Sequence, residues 1–201
     1  MQRKTDLYLR NLRLARTLFS VGKQQILLTS LEHLSAMHFD IGSGDLLLLN
    51  NHWFVTHTGL VRLARRKRCR GIHVEAVDSL CDSAANRFVL KATVYPSKDS
   101  AGFVGYGDAD PSNVSLLVRG AEMRIAETRA VNRALRKAYG IGICSVEEIG
   151  SNPGPTAGLL INVSFHPKIP TETGTAIVVL VTRSATGSAR SSVSTNSIPN
   201  W

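Results

Sequence analysis

The chain has 201 residues, 43% of them apolar and 19% charged, which is enough apolar side chain for one ample domain with a buried core and too much for wholesale disorder. Lys and Arg number 24 against 15 Asp and Glu, so the net charge is +9; an excess concentrated in patches would point to a polyanion, nucleic acid or an acidic membrane surface. No apolar run approaches the roughly 20 residues that cross a bilayer, and Cys69, Cys81 and Cys144 are odd in number and lack CxxC spacing, which argues against a disulfide framework or zinc site and for a reducing, intracellular setting.

The first residues, MQRKTDLYLRNLRLARTLF, scatter Arg3, Lys4, Arg10, Arg13 and Arg16 among leucines, so they lack the continuous apolar stretch of a secretory signal. Asp6 speaks against an organellar presequence. Residues 5–35 read as helical from Leu7, Leu14, Leu18, Ile26, Leu27, Leu31 and Leu34, with Gly22 either dividing two helices or bending one. After the loop Gly42-Ser43-Gly44, the runs LLLL and HWFV flank Asn50-Asn51 and predict a β-hairpin. A helix is expected over residues 58–70, with Leu60, Val61, Leu63 and Ala64 on one side and Gly71 as its stop.

Strands are expected over residues 72–80 and 88–95, the second alternating so that one face is covered and one wet. A third short strand, residues 103–106, runs into Gly107-Asp108-Ala109-Asp110-Pro111. Asp110 suits an N-cap and Pro111 a first helical residue, so a long helix is predicted from there to Tyr139, on the order of 40 Å long, ending at Gly140. The expected fold class is α+β: a β-hairpin and an antiparallel sheet of three to five strands packed on a long C-terminal-side helix, preceded by an N-terminal helical segment. Residues 1–150 would form this domain, residues 151–183 would add accessory strands over 159–165 and 176–182, and the Ser/Thr-rich residues 184–201 would be a disordered tail.

The charge is concentrated. Residues 62–70, RLARRKRCR, hold Arg62, Arg65, Arg66, Lys67, Arg68 and Arg70 and no acid. Cations this dense repel one another along a helix, a cost that a bound anion would offset, although a solvated face or a localisation signal would have the same composition. The predicted long helix carries Arg119, Arg124, Arg129, Arg133, Arg136 and Lys137. On a helical wheel Arg119, Arg129, Arg133, Arg136 and Lys137 share one stripe, opposite an apolar arc of Leu117, Ala121, Met123, Val131, Leu135 and Ala138. Arg124 falls on the apolar side, where an internal partner is expected. Glu122 and Glu127 partly compensate the stripe, so ordinary pairing along the helix is the competing account. Two basic surfaces beside aromatic-bearing strands suit single-stranded nucleic acid, with Trp53 and Tyr106 as candidates for base stacking.

Other chemistries are weakly supported. Gly105-Tyr106-Gly107 is followed by Asp110 where a dinucleotide fingerprint has Gly, and acids at that helix end would repel a pyrophosphate. No GxxxxGK[ST] is present. Asp108, Asp110, Glu147 and Glu148 form a candidate divalent-cation set for a nuclease, but acids at a helix start also meet its dipole. His33, His38, His52, His57, His73 and His166 show no ligand spacing, and no Ser or Cys nucleophile motif appears, so no catalytic residue and no cofactor is expected.

The run FVGYGDADPSNVSLLVRGAEMRIAETRAVNRALRKAYGIG resembles the core signature of single-strand annealing proteins of the Rad-fifty-two type. Gly105-Tyr106-Gly107 stands where that family has a Gly-Tyr-Gly-like turn, and Arg133-Ala134-Leu135-Arg136, followed by Gly140, stands where its long helix closes. Upstream, LLLLNNHWFVTHTGLVRLARRKRCRGIHVEAV is similar to the family's hairpin, helix and next strand, so the resemblance covers roughly residues 44–142. One departure is Asn132, where the family usually has a Lys lining its inner DNA groove; Arg129, one turn earlier, is the expected substitute. The resemblance implies an open ring or helical homo-oligomer, a cationic groove for single-stranded DNA, ATP-independent annealing in recombination or repair, and a recombinase or single-strand-binding protein as a further partner. A double-stranded RNA-binding module, which shares the α-β-β-β-α order, is the first alternative. A metal-dependent nuclease and a basic protein that assembles by its sheet edges are the others.

Overall fold

A computed structural model of the protein describes residues 2–150. In chain order these form α1 (Gln2–Phe19), α2 (Gln25–Ala36), β1 (Leu46–Leu49), β2 (His52–Val55), α3 (His57–Arg66), β3 (Gly71–Ala76), β4 (Phe88–Tyr95), β5 (Phe103–Ala109) and α4 (Glu122–Tyr139), with single 3-10 turns at Ile41–Ser43, Asp78–Leu80, Leu116–Val118 and Val146–Glu148. The fold is α+β, as the sequence indicates. The accessory strands expected at 159–165 and 176–182 and the tail at 184–201 lie outside the described residues. Among the described residues no helix is long and apolar enough to cross a membrane.

The N-terminal segment is two helices, separated where Ser20 takes a positive φ. Fully buried Asn11 joins them: its amide donates to Ser35 Oγ (2.9 Å) and to the Phe39 carbonyl (2.8 Å), and its Oδ1 accepts from the Ile41 amide (2.9 Å). The hairpin forms as expected, Leu46 opposite Val55 and Leu49 opposite His52. Both Asn50 and Asn51 have positive φ, the left-handed pair that a two-residue hairpin turn with the strands' own twist requires and that Asn tolerates.

Strands β3, β4 and β5 form an antiparallel sheet in that order, with α4 packed on one face. Register sets Leu90 opposite Gly107 and Ala92 opposite Gly105, which places both glycines under α4. A methyl group on Gly105 would collide with the backbone of Ala130 and Ala134, and one on Gly107 with the backbone of Ala126 and Ala130. Ala126, Ala130 and Ala134, four residues apart and each with no exposed surface, present the matching flat stripe of the helix. Gly105-Tyr106-Gly107 is therefore not a turn at a strand end, as the resemblance suggests; it is the middle of a seven-residue strand against which a helix lies unusually close.

Beyond the lengthening of β5 from the expected 103–106 to Phe103–Ala109, three elements have boundaries that differ clearly from expectation. The helix predicted over 58–70 ends at Arg66, Arg68 turns the chain at φ 55°, and Gly71 opens β3 instead of stopping α3. The sheet recruits the chain here, since the Arg70 amide donates to the Tyr95 carbonyl (2.8 Å). The strand predicted over 72–80 ends at Ala76, and Asp78–Leu80 is a 3-10 turn. The long helix begins at Glu122 rather than Pro111, so its 18 residues span about 27 Å. Asp110 does cap, but it caps a turn: Oδ1 accepts from the amides of Ser112 (2.8 Å) and Asn113 (3.2 Å), a local closure that competes with helix, and Gly120 at φ +85° delays it further.

Candidate nucleic-acid interface

Most α4 cations are committed to the fold. Among the described residues strand β5 is an edge, and its outward carbonyls at alternate residues are each met from α4: Lys137 Nζ donates to Val104 (2.7 Å), Arg133 Nη1 to Tyr106 (2.6 Å) and Arg129 Nη1 to Asp108 (2.7 Å). Alternate strand residues repeat at about 6.8 Å and every fourth helical residue at about 6.0 Å, so an antiparallel helix lying close on β5 brings three cations in step with three carbonyls. The two glycines allow that closeness.

Arg129 is the anchor. Only 4% of it is exposed, and besides Asp108 it donates to the carbonyl of Glu147 (2.9 Å) and to the Oδ1 (2.8 Å) and carbonyl (2.9 Å) of Asn113. Burial pulls its guanidinium below the usual value, partly opposed by nearby Asp108. It does not reach solvent, which corrects its placement on a wet DNA-binding stripe and as a substitute for the family's Lys. The stripe is corrected further: Arg136 pairs with Glu148 (2.6 Å), and Arg119 precedes the helix. Arg124 is exposed rather than paired internally. Leu117 (82% exposed) also precedes the helix and Met123 is exposed, so neither belongs to the core arc. Asn132 is fully buried, bonded to His57 Nδ1 (2.6 Å), Ser145 Oγ (2.8 Å) and Glu147 Oε2 (3.1 Å), and so packs inside the protein rather than lining a groove.

The segment after the hairpin divides differently. Arg62 donates to the Ser43 carbonyl (2.6 Å) and pairs with Asp45, a carboxylate only 1% exposed. That pair removes Arg62 from the candidate site. Arg62→Ala is expected to cost about 1–2 kcal/mol of stability, because it removes the half-exposed cation that pairs with the buried Asp45 carboxylate and leaves that carboxylate the Asp40 amide; Arg65→Ala should stay within about 0.5 kcal/mol. Urea unfolding of the two variants checks this, and equal midpoints would contradict it.

Arg65, Arg66, Lys67, Arg68 and Arg70 are all exposed, and none makes an ion pair or a side-chain hydrogen bond among the described residues. The first three sit at the end of α3, where the helix dipole favours cations. The dipole accounts for part of the cluster but not for Arg68 and Arg70, which lie beyond the helix.

Tyr106 is 49% exposed on the sheet face away from α4, opposite Lys91, whose ammonium pairs with Glu75 (2.7 Å) across β3 and β4. That pair holds the Lys91 pKa up and the Glu75 carboxyl down, mainly through the hydrogen bond between them. Trp53 is no stacking platform: it is 4% exposed, its Nε1 donates to the Leu27 carbonyl (3.0 Å), and it meets the Phe19 ring edge-on at 5.8 Å. Tucked between the hairpin and the N-terminal helices, it is core.

The four acids weighed as a cation site do not converge. Glu147 accepts from the His57 amide (2.9 Å) and Asn132, Glu148 holds Arg136, and Asp110 closes its own turn, where bonds from Ser112 lower its pKa. Among the described residues, no group of three or more His, Cys, Asp or Glu is placed to hold a metal. Sequence reasoning missed Asp45 and Asn11, since partners distant in sequence leave no local signal. Compared with models of protein families, with curated proteins and with solved structures, the chain matches none.

Proposed function

We propose that the protein binds the backbone of single-stranded DNA along Arg65, Arg66, Lys67, Arg68 and Arg70, and that it anneals complementary strands without ATP. The observation that carries the reading is that these five cations, within six consecutive residues, are all exposed and have no partner among the described residues. Phosphate contacts carry no sequence information, so this surface neutralises two repelling backbones while leaving base edges free to find each other. The element order supports the reading, since a hairpin, a helix, three antiparallel strands and a basic helix follow one another as the resemblance implies.

Annealing of complementary fluorescent oligonucleotides tests it: acceleration over the spontaneous rate at moderate salt is expected, and no acceleration would overturn it. Charge reversal localises the site. Replacing Arg65, Arg66 and Arg68 by Glu should weaken single-strand binding and lower the slope of log affinity against log salt by about 2, at roughly 0.7 per phosphate contact. An unchanged slope would remove the cluster from the site. On this reading the protein works as a homo-oligomer; a monomer in light scattering together with a preference for duplex RNA would favour the RNA-binding module instead.

A further inference from the structure

Among the described residues β3 is a sheet edge that pairs with β4 alone and has no hydrogen-bond partner on its outer side. One bond fixes which of its backbone groups are free. The Val77 amide donates to the Val89 carbonyl (2.9 Å), so the residues in step with it, His73 and Glu75, turn their amides and carbonyls toward β4. Ile72, Val74 and Ala76 turn theirs outward, a row of donors and acceptors of the kind that templates another strand. Their side chains share the face on which α4 covers β4 and β5, and there Ile72 stays 39% exposed and Ala76 is exposed as well.

Side-chain chemistry decides what joins the edge. A symmetric contact needs a patch complementary to itself, and Ile72-His73-Val74-Glu75-Ala76 is self-complementary about Val74. An antiparallel second copy with Val74 facing Val74 sets Ile72 of each chain opposite Ala76 of the other, a large apolar side chain beside a small one, and these outward residues exchange their backbone hydrogen bonds. His73 of each chain then faces Glu75 of the other at the non-hydrogen-bonded positions, where opposed side chains lie closest. Both residues are exposed. Glu75 holds Lys91 through Oε1 (2.7 Å), and its own chain's His73 stands 4.0 Å from Oε2, beyond hydrogen-bonding distance, so Oε2 is left to accept an imidazole N–H from the other copy. Sliding one chain by two residues, the shortest slide that keeps the backbone bonds, puts His73 against His73 or Glu75 against Glu75. Like groups directly opposite are unfavourable, so one register fits.

We infer that two copies of the protein pair antiparallel through β3, Val74 against Val74, joining their three-stranded sheets into one. The contact uses no side chain of the cationic run at 65–70, so it stands or falls without nucleic acid and apart from the reading of that run.

Sedimentation velocity of the full chain without nucleic acid tests it, at about 100 µM because a contact confined to one strand pair is small and weak. Self-association is expected. His73→Glu, which sets glutamate against glutamate on both sides of Val74, should raise the dissociation constant of the contact about tenfold, and His73→Lys should lower it at neutral pH. Ala76→Pro removes an outward amide from an exposed residue without touching the bonds to β4, and should separate the copies. Amide exchange followed by NMR identifies the occupant of the edge. Protection at Ile72, Val74 and Ala76 should disappear on dilution, while His73 and Glu75 stay protected at every concentration. A monomeric protein, or an assembly unmoved by all three substitutions in variants with unaltered circular dichroism, would overturn the pairing. Protection of Ile72, Val74 and Ala76 in a monomer would overturn it in favour of a segment within residues 151–201 covering the edge. The exchange measurement needs no variant, so it decides even if Ala76→Pro does not fold.

Discussion

Arg129→Ala is expected to unfold the protein at a temperature lower by on the order of 10 °C, about 3–5 kcal/mol of stability, although a surface reading of α4 makes this residue a phosphate contact. Its guanidinium satisfies the backbone carbonyls of Asp108, Asn113 and Glu147 and the side chain of Asn113 from a nearly sealed position. Truncation leaves those oxygens without a donor, at about 1–3 kcal/mol for each that water does not reach. Arg129→Lys separates the two accounts. A phosphate contact tolerates a lysine, whereas one ammonium cannot span four acceptors fixed around a planar fork. Thermal melting followed by circular dichroism measures the outcome, and a Lys variant as stable as the parent would contradict the structural role.

Gly107→Ala is the second large effect, at about 3 kcal/mol, the upper end of the usual cost of overpacking. The added methyl meets backbone atoms of Ala126 and Ala130, which cannot rotate aside as a side chain would, so α4 must lift from β5. Lifting it also draws Arg129, Arg133 and Lys137 away from the three β5 carbonyls, so the change should lower the slope of unfolding as well as its midpoint if the helix end frays. Gly142→Ala is the control, because nothing lies within 4 Å of a methyl there and its stability should be unchanged. Matching urea curves for the two variants would sink the close-packing account.

The hairpin and the central strand were legible because their signals are local: alternation, two short apolar runs and an Asn-Asn turn whose residues accept positive φ. The start of α4 was not. Asp110 is equally good at opening a helix and at closing a turn upon Ser112 and Asn113, and Gly120 downstream gave no sign of taking a left-handed φ. The candidate site was half legible. Composition locates the run at 65–70, but which cations are free is decided by partners distant in sequence: Asp45 for Arg62, Asn113 and Glu147 for Arg129. A helical wheel put Arg129 on the same stripe as Lys137 and left open that β5 lies along that stripe.

The capping of β5 by Lys137, Arg133 and Arg129 also gives the sheet a polarity of growth. Among the described residues, one border has its acceptors occupied by charged side chains, whereas β3, the other border, pairs with β4 alone. Copies that joined by strand addition would meet β3 to β3 about a two-fold axis and stop there. A closed circle of many subunits must therefore be stitched through surfaces other than a continuous ribbon of strands.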